Sequence, residues 1–436
     1  MATLVEPAKA ATVNSLKLST PLGGALAFMG LDGCFPLFHG AQGCTAFALV
    51  LAVRHFRESI PFQTTALDAV TTVLGGYDNL EQALLNIHGR AKPKVIGICS
   101  TSLTETRGED IPGDLKLIRE RHPELDEMAI VFASTPDFRG GFEQGWTEAV
   151  TAMVRELARP AGTRDERAVN ILAGCHLTAG DLEEIRDLVE AFGLEPTILP
   201  DISGSLDGHV PDRYIPTTYG GTGIEAIHEM GRARLTIALG EHMRKPAEAL
   251  EEVAGVPFVV CRRLTGLAAV DNLVAELQTL SGRPAPMRLR RWRSQLVDAM
   301  LDGHFFFGGK RIAIAAEPDM LLGLGAWLGE MGAIIEAAVS PTPSALLSVL
   351  PVEEVVIGDL DDLELRAGAA DLLIASSQAG QAAGRLHLPL FRIGFPVTDR
   401  LGAAQLRTVG YRGTRDLVFS IGNILMERDH APASTH

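Results

Sequence analysis

Short apolar runs of strand length recur along almost the whole of this 436-residue sequence. Most are continuous rather than alternating, they close with Ser, Thr, Asp, Gly or Pro, and segments of helical periodicity separate them. Continuous apolar strands that alternate with helices are typical of parallel sheets covered on both faces. The sequence therefore predicts an α/β fold with strands in residues 94–101, 128–135, 168–175, 195–201, 234–241, 256–262, 311–317, 333–340, 354–360, 370–377 and 388–396.

Two stretches interrupt this rhythm and predict domain boundaries. The first is RELARPAGTRDERA, residues 155–168, and the second is the long basic segment of residues 283–310, which precedes a new strand. The predicted organisation is three consecutive Rossmann-like, doubly wound domains over residues 1–160, 161–300 and 301–436. Ligands of doubly wound sheets bind at the carboxyl ends of the strands, so the residues that follow each strand are the candidates for a functional site.

Charge and composition argue against several classes of protein. The formal net charge of −15 opposes binding to the phosphates of a nucleic acid. No long stretch is both strongly apolar and free of charge, and the first residues lack the pattern of a signal peptide, so we expect a cytoplasmic protein without a membrane segment. The five cysteines are widely spaced and include no CxxC pair, so neither a disulfide framework nor a self-contained zinc site is expected.

Cys44 lies in FHGAQGCTAF, residues 38–47, at the start of a pattern in which apolar residues recur at helical spacing over residues 46–53. The first turn of a helix is electropositive and favours a thiolate, and Gly40 and Gly43 would let backbone N–H groups approach a bound anion. Cys44 is therefore a candidate nucleophile or metal ligand, and the alternative is a small buried apolar residue. An iron–sulfur cluster needs about four protein ligands, so either Cys44 is not a ligand or another chain supplies the rest.

The other candidate residues have plainer interpretations. His39 is expected to hydrogen-bond within its own turn, and Cys175 and His176 are interpreted as ordinary residues at the end of a strand. The run YGGTGIEA, residues 219–226, lacks the spacing of a phosphate-binding loop and is interpreted as a loop and helix cap. Three further cysteines fall in or near apolar runs and are interpreted as core residues: Cys34, Cys99 and Cys261.

Longer blocks of the sequence resemble one protein family. They include PLGGALAFMGLDGCFPLFHGAQGCTAF, PKVIGICSTSLTETRGEDIPGDL and ASTPDF in the first predicted domain, and GGKRIAIAAEPDMLLGLGAWL and LPLFRIGFPVTDR in the third. In this order they resemble the NifN family, the β-like subunits of NifEN, which is the scaffold for assembly of the nitrogenase iron–molybdenum cofactor. That family is itself similar to NifK, the β subunit of the molybdenum–iron protein. The resemblance covers almost the whole chain and implies three Rossmann-like domains.

The resemblance also implies which residues lie at a metal cluster. NifK uses three cysteines and a nearby serine at an eight-iron P-cluster, and the matching positions here are Thr20, Cys44, Ser102 and Asp137. Hydroxyl groups replace thiolates poorly on iron, so a P-cluster is not expected. In the NifN family the single remaining cysteine joins three from NifE at a 4Fe–4S cluster in the subunit interface. The resemblance therefore implies that Cys44 is the metal-binding and cofactor-binding residue of this chain.

By the same resemblance the chain is a scaffold subunit rather than a stand-alone enzyme, and it has no catalytic residue of its own. It is expected to pair with NifE in an α2β2 heterotetramer, which receives a precursor of the iron–molybdenum cofactor from NifB, holds it during maturation and works with the Fe protein NifH. One alternative is the β subunit of a nitrogenase-like reductase, either NifK-like or of the dark-operative protochlorophyllide reductase type, in which an aspartate such as Asp137 could bind iron. The other alternative is a nucleotide-sugar enzyme built from Rossmann units.

Overall fold

The structure is a computed structural model that describes residues 1–7, 9 and 15–430. It contains two compact units. One comprises Met1–Lys17, His176–Leu194 and Cys261–His436, and the other comprises Leu18–Cys175 and Glu195–Val260. Parallel strands alternate with helices in both units, which confirms the predicted α/β class. The predicted domain boundaries near residues 160 and 300 stay predictions.

The strands in chain order are β1 (Thr3–Val5), β2 (Cys34–His39), β3 (Gln63–Thr64), β4 (Val95–Ser100), β5 (Ala129–Ala133), β6 (Asp165–Leu172), β7 (Glu195–Leu199), β8 (Ala233–Leu239), β9 (Phe258–Cys261), β10 (Arg311–Ala315), β11 (Ile334–Ser340), β12 (Glu354–Ile357), β13 (Leu372–Ala375) and β14 (Leu390–Arg392). Every run that the sequence predicted to be a strand overlaps one, whereas β1, β2 and β3 lie outside those runs.

The α-helices in chain order are α1 (Thr20–Met29), α2 (Gln42–Phe56), α3 (Ala69–Leu74), α4 (Tyr77–Ala91), α5 (Ser102–Arg107), α6 (Ile111–Arg121), α7 (Phe142–Leu157), α8 (Ala179–Glu190), α9 (Ile224–His228), α10 (Arg244–Ala254), α11 (Leu267–Ser281), α12 (Met287–Phe307), α13 (Pro318–Glu330), α14 (Leu360–Arg366), α15 (Gly380–Leu386) and α16 (Gly410–His430). Within the described ranges, no helix is long and apolar enough to span a membrane.

The strands form three sheets with one shared topology. Their orders are β3-β2-β4-β5, β7-β6-β8-β9 and β1-β12-β11-β10-β13-β14. In each sheet one strand (β2, β6 or β10) has its successor in the chain on one side and a later strand on the other, and these pairs are parallel. The crevice at the carboxyl end of such a strand is where doubly wound sheets bind ligands.

Helix α1 packs against α7 on one face of the β3-β2-β4-β5 sheet, and this packing fixes the position of Thr20. All ten residues of α1 are buried. A Cβ atom at Gly23 would lie 1.9 Å from the carbonyl oxygen of Phe142, and one at Gly145 would lie 1.8 Å from the carbonyl oxygen of Thr20. Because only glycine lacks this atom, the two helix backbones can approach closely. The opposite face of the sheet packs on α4 and α6 through an apolar cluster: Leu80, Leu84, Ile96, Ile98, Ile118 and Ile130.

Candidate functional site

Cys44 lies in the first turn of α2, directly after the interior strand β2. The strand ends at His39 and the helix begins at Gln42, which confirms the helix start that the sequence predicted. The residue before the helix, Ala41, has no side chain that can cap the first N–H groups. Cys44 is exposed. The thiol is therefore accessible at the position where a doubly wound sheet binds ligands.

The outward face of α2 is apolar. Phe47, Val50 and Val53 are 76%, 54% and 40% exposed, although their spacing is that of a core-facing stripe. The face that packs on the sheet is formed instead by Thr45, Ala48, Ala52 and His55. An apolar helix face that remains exposed is typical of a surface that another protein covers.

The structure brings together the positions that the resemblance assigned to a cluster. The Asp137 carboxylate accepts a hydrogen bond from the Thr20 backbone N–H at 2.8 Å and one from the Ser102 hydroxyl at 3.3 Å. The Ser102 hydroxyl in turn accepts the Asp137 N–H at 3.0 Å. Asp137 also lies close enough to Cys44 to influence its titration. Asp137 thus joins the starts of α1 and α5 beside the exposed thiol. The resemblance implied that these positions lie together, but not that hydrogen bonds link them.

Two buried hydroxyl groups at this site lack a partner. Thr20 and Thr45 are only 1% and 6% exposed, and in the part of the chain that the structure describes their Oγ1 atoms make no hydrogen bond. A buried polar atom without a partner costs about 1–3 kcal/mol. In contrast to these crowded positions, a Cβ atom at Gly43 would meet only open space. The described residues therefore leave one hydroxyl at the start of α1 and one in the first turn of α2 without a hydrogen-bond partner.

The pKa of the Cys44 thiol corrects one expectation from the sequence. Partial burial raises this pKa, the negative charge of Asp137 raises it further, and a backbone N–H acts in the opposite direction. The helix start does lower the pKa of Cys44, but burial and Asp137 outweigh it, so the expectation that this site favours a thiolate is wrong for the chain alone. A thiol with a raised pKa stays protonated at neutral pH, so it becomes an effective ligand only when a metal ion displaces the proton.

His39 has a structural role, but its hydrogen-bond partners lie outside its own turn, so that part of the prediction is wrong. Its ring is fully buried, and its two nitrogens lie 3.0 Å from Thr65 Oγ1 and 2.9 Å from Glu109 Oε2. Hydrogen bonds and charge from His39, together with Arg107 and the Gly76 N–H, outweigh burial and lower the pKa of Glu109. His39 therefore fixes the loop before Cys44 and is not positioned as a further ligand.

The remaining candidates have ordinary structural surroundings. Cys34 and Cys99 are fully buried in β2 and β4, as predicted, whereas Cys261 in β9 is only half-buried. Cys175 follows the end of β6, and its N–H donates to His242 Nε2 at 3.2 Å. Residues 219–223 form a loop that ends at the N-cap Gly223, and residues 224–226 begin the short helix α9, so the interpretation as a loop and helix cap is confirmed. Among the described side chains, Cys44 belongs to no group of three His, Cys, Asp or Glu residues spaced to hold a metal ion.

A family model for the nitrogenase component 1 type oxidoreductases matches residues 19–426. The chain belongs to this family. Among solved structures, nitrogenase Cp1 at pH 6.5 superimposes with a TM-score of 0.93 at 29% identity, over 98% of this chain and 96% of that one. The nitrogenase component 1 fold therefore accounts for nearly every residue, which confirms the three Rossmann-like sheets.

Within the nitrogenase component 1 family, the chain is similar to proteins named nitrogenase iron-molybdenum cofactor biosynthesis protein NifN. The one from Rhizobium meliloti is 55% identical over 100% of this chain and 99% of its own length. The protein from Mesorhizobium japonicum is 54% identical over 99% of this chain and 95% of its own length. The protein from Nostoc sp. is 50% identical over 99% of this chain and 97% of its own length. These three matches cover nearly the full length of both chains, as does the match to nitrogenase Cp1, but at 50–55% identity rather than 29%.

Proposed function

We propose that this chain is a scaffold subunit in the biosynthesis of the nitrogenase iron–molybdenum cofactor, and that it therefore serves nitrogen fixation. The observation that carries the proposal is the full-length similarity, at 50–55% identity, to proteins named for that biosynthesis. Identity of this level over the whole of both chains includes the loops that follow the interior strands. Those loops are where functional residues of a doubly wound fold lie.

Cys44 is the residue that we assign to a metal cluster, as one ligand of a 4Fe–4S cluster shared with the partner subunit NifE. The start of α2 fits part of such a site: it has one accessible thiol, open space at Gly43 and two buried hydroxyls without partners. It does not fit a whole site, because a cluster needs about four ligands. The missing donors must then come from a second chain, and the exposed apolar face of α2 offers a surface for it.

The chain's own residues would hold the site in a defined way. Cys44 would supply the single thiolate, while Asp137 keeps the Ser102 hydroxyl and the Thr20 backbone engaged in hydrogen bonds. A bound 4Fe–4S cluster would supply one-electron redox chemistry and a covalent link between the subunits. Because the ligand set is complete only when both chains are present, cluster binding and pairing stabilise each other.

The same proposal assigns the other partners. The α2β2 complex with NifE would receive the cofactor precursor from NifB, hold it transiently, and release the mature cofactor after the action of NifH. We assign no residue of this chain to the precursor. A nitrogenase-like reductase with an eight-iron cluster is less well supported, because two thiolate positions of that cluster carry Thr20 and Ser102, and Ser102 is already bonded to Asp137.

The test is activation of a nitrogenase that lacks its cofactor. We expect the anaerobically purified pair of this chain and NifE, supplied with precursor, molybdate, homocitrate, NifH and MgATP, to restore substrate reduction. Omission of this chain should abolish the activation, and Cys261→Ala, which removes a cysteine far along the sequence in β9, should leave it unchanged. Activation of equal extent without the chain, or substrate reduction by the pair itself, would refute the scaffold assignment.

A further inference from the structure

The open edge of the β3-β2-β4-β5 sheet forms a groove that the function proposed above does not use. β5 is the last strand of this sheet, and among the described residues it pairs with β4 alone. The groove beside it has a volume of about 630 Å³. Residues 130–134 form its floor, α6 lines one side, and α7 with Lys245 of α10 lines the other. All of these residues belong to one compact unit.

The floor of the groove presents unpaired backbone groups. The Ala129 N–H donates to the carbonyl oxygen of Lys94, so alternate residues of β5 face β4. The N–H and C=O groups of Ile130 and Phe132 therefore face the groove, and across the described ranges nothing hydrogen-bonds to them. An edge strand of this kind pairs readily with another extended backbone.

The two walls of the groove differ in charge. The α6 wall contributes only cations, Lys116 and Arg119, beside the apolar side chains of Pro112 and Leu115. Arg119 is paired with Asp126 at 2.9 Å, whereas Lys116 makes no ion pair within the residues described. The α7 wall is mixed, since it carries these charged residues: Glu148, Arg155 and Glu156, with Lys245 bonded to Glu148.

We propose that the edge of β5 binds an extended acidic segment of another polypeptide, which adds to the sheet as a fifth strand. Side chains of a strand alternate between its two faces, so every second residue of that segment would project toward α6. Carboxylates at those positions would meet Lys116 and Arg119, while small or polar residues would suit the mixed α7 wall. A small polyanion fits less well, because it would leave the C=O groups of Ile130 and Phe132 unpaired and would face Glu148.

The test uses a fluorescent peptide, acetyl-Thr-Glu-Thr-Glu-Thr-Glu-Thr-amide, and the full-length chain. Three controls distinguish backbone pairing with β5 from charge pairing with the α6 wall. They are the same peptide with Lys for Glu, the same peptide with alternate amides N-methylated, and citrate as a free polyanion. Lys116→Glu tests the α6 wall. Arg121→Glu is the matched variant, because it reverses a charge on the same helix outside the groove.

We expect saturable binding of the acidic peptide, a loss of about tenfold or more in affinity with Lys116→Glu, and a change of less than about twofold with Arg121→Glu. The N-methylated and Lys peptides should bind at least about tenfold more weakly. Peptide binding should also slow amide hydrogen exchange at Ile130 and Phe132. No binding at millimolar peptide, equal binding of the N-methylated peptide, equal effects of the two variants, or full competition by millimolar citrate would overturn the proposal.

Discussion

Two helix starts that follow interior strands, those of α2 and α8, are built in opposite ways. Before α8, the Thr178 hydroxyl accepts the Asp181 N–H at 3.0 Å, and the Asp181 carboxylate accepts the Thr178 N–H at 3.1 Å. The fully buried Asp181 also accepts hydrogen bonds from the Thr408 N–H and hydroxyl and from the Val409 N–H. At α2, Ala41 offers no cap and Cys44 is exposed.

The start of α8 stabilises the chain itself, whereas the start of α2 is left open for a ligand or a partner chain. At the start of α8, the polar groups of Thr178 and Asp181 hydrogen-bond to each other, and Asp181 also bonds to distant residues of the same chain. These groups are therefore not available to a ligand. α2 leaves its thiol and an apolar face exposed and two nearby hydroxyls unpaired. Substitutions at the start of α8 should therefore affect stability, and those at α2 should affect pairing and iron binding.

The largest effect is expected for Asp181→Ala. This variant removes the acceptor of four hydrogen bonds and leaves buried donors at Thr408 and Val409 unsatisfied. We expect the free energy of unfolding in urea to fall by about 3 kcal/mol or more. The matched variant Glu183→Ala, at an exposed position of the same helix, should change it by less than about 0.5 kcal/mol. Equal losses of stability in the two variants would show that the hydrogen bonds of Asp181 do not stabilise the chain, and the contrast between α8 and α2 would not hold.

A third helix start, that of α13, should make stability depend on pH. Burial raises the pKa of Glu317 from its ordinary value of 4.5 to about 8, and its Oε2 atom has no hydrogen-bond partner within the described chain. The folded state therefore keeps a proton that the unfolded state releases between these values, so stability falls as the pH rises from 4.5 to 8. Relative to Glu317→Gln, the native chain should lose up to about 1.4 kcal/mol per pH unit in this window.

Urea unfolding at several pH values measures this difference. Glu353→Gln, at an exposed position in the same unit, provides the control and should give a pH profile parallel to that of the native chain. A pH-independent difference between the native chain and Glu317→Gln would mean that the carboxyl group is charged in the folded state.

Asp137→Ala should have an intermediate effect on stability and a specific effect on the thiol. Loss of the hydrogen bonds from Thr20 and Ser102 should lower the free energy of unfolding by roughly 1–2 kcal/mol. Because the Asp137 charge raises the pKa of Cys44, its removal should also increase the rate of Cys44 alkylation at pH 8. Mass spectrometry of the alkylated chain measures that rate. Asp212→Ala, an exposed position, should change neither quantity.

The smallest effect on stability is expected for Ala41→Ser, and its sign is informative. Ala41 has the extended backbone of an N-cap residue, so a serine there can accept an N–H of the first turn of α2. We expect the chain alone to gain about 0.5–1 kcal/mol in stability. We expect the uncapped N–H groups of α2 to take part in pairing with NifE. The same variant should therefore weaken that pairing, measured by analytical ultracentrifugation. Tighter pairing would show that NifE binding does not depend on the uncapped start of α2.

Most of the sheet framework follows from apolar periodicity, and the exceptions have local causes. β2 was not predicted because Pro36 lies inside it, and proline normally excludes an interior strand. Here β3 pairs only with Leu37 and Phe38, so no donor is required at Pro36. β1 was missed because it has three residues and pairs with β12 from the far end of the chain, a partner that no local pattern reveals.

The site was also predictable only in part, because contacts between residues that are distant in the sequence leave no local pattern. The helix start and the accessible position of Cys44 follow from the glycine-rich run and the periodicity after it. The orientation of α2 does not, because an exposed apolar stripe and a core stripe have the same spacing. The pKa of Cys44 is raised first by burial and further by the charge of Asp137, and neither the packing around the thiol nor this distant carboxylate follows from the local helix pattern. The direction of the shift was therefore predicted wrongly.

The central claim, that Cys44 binds iron shared with a partner, is tested most directly by iron analysis and EPR of the anaerobically purified pair with NifE. The native pair and the Cys261→Ala pair should hold roughly four iron atoms at the subunit interface with the same 4Fe–4S signal, and this chain alone should hold none. Cys44→Ala should lower the iron content and remove or alter that signal while the chain stays folded. Unchanged iron and spectrum in Cys44→Ala, or a cluster in the chain alone, would contradict the account.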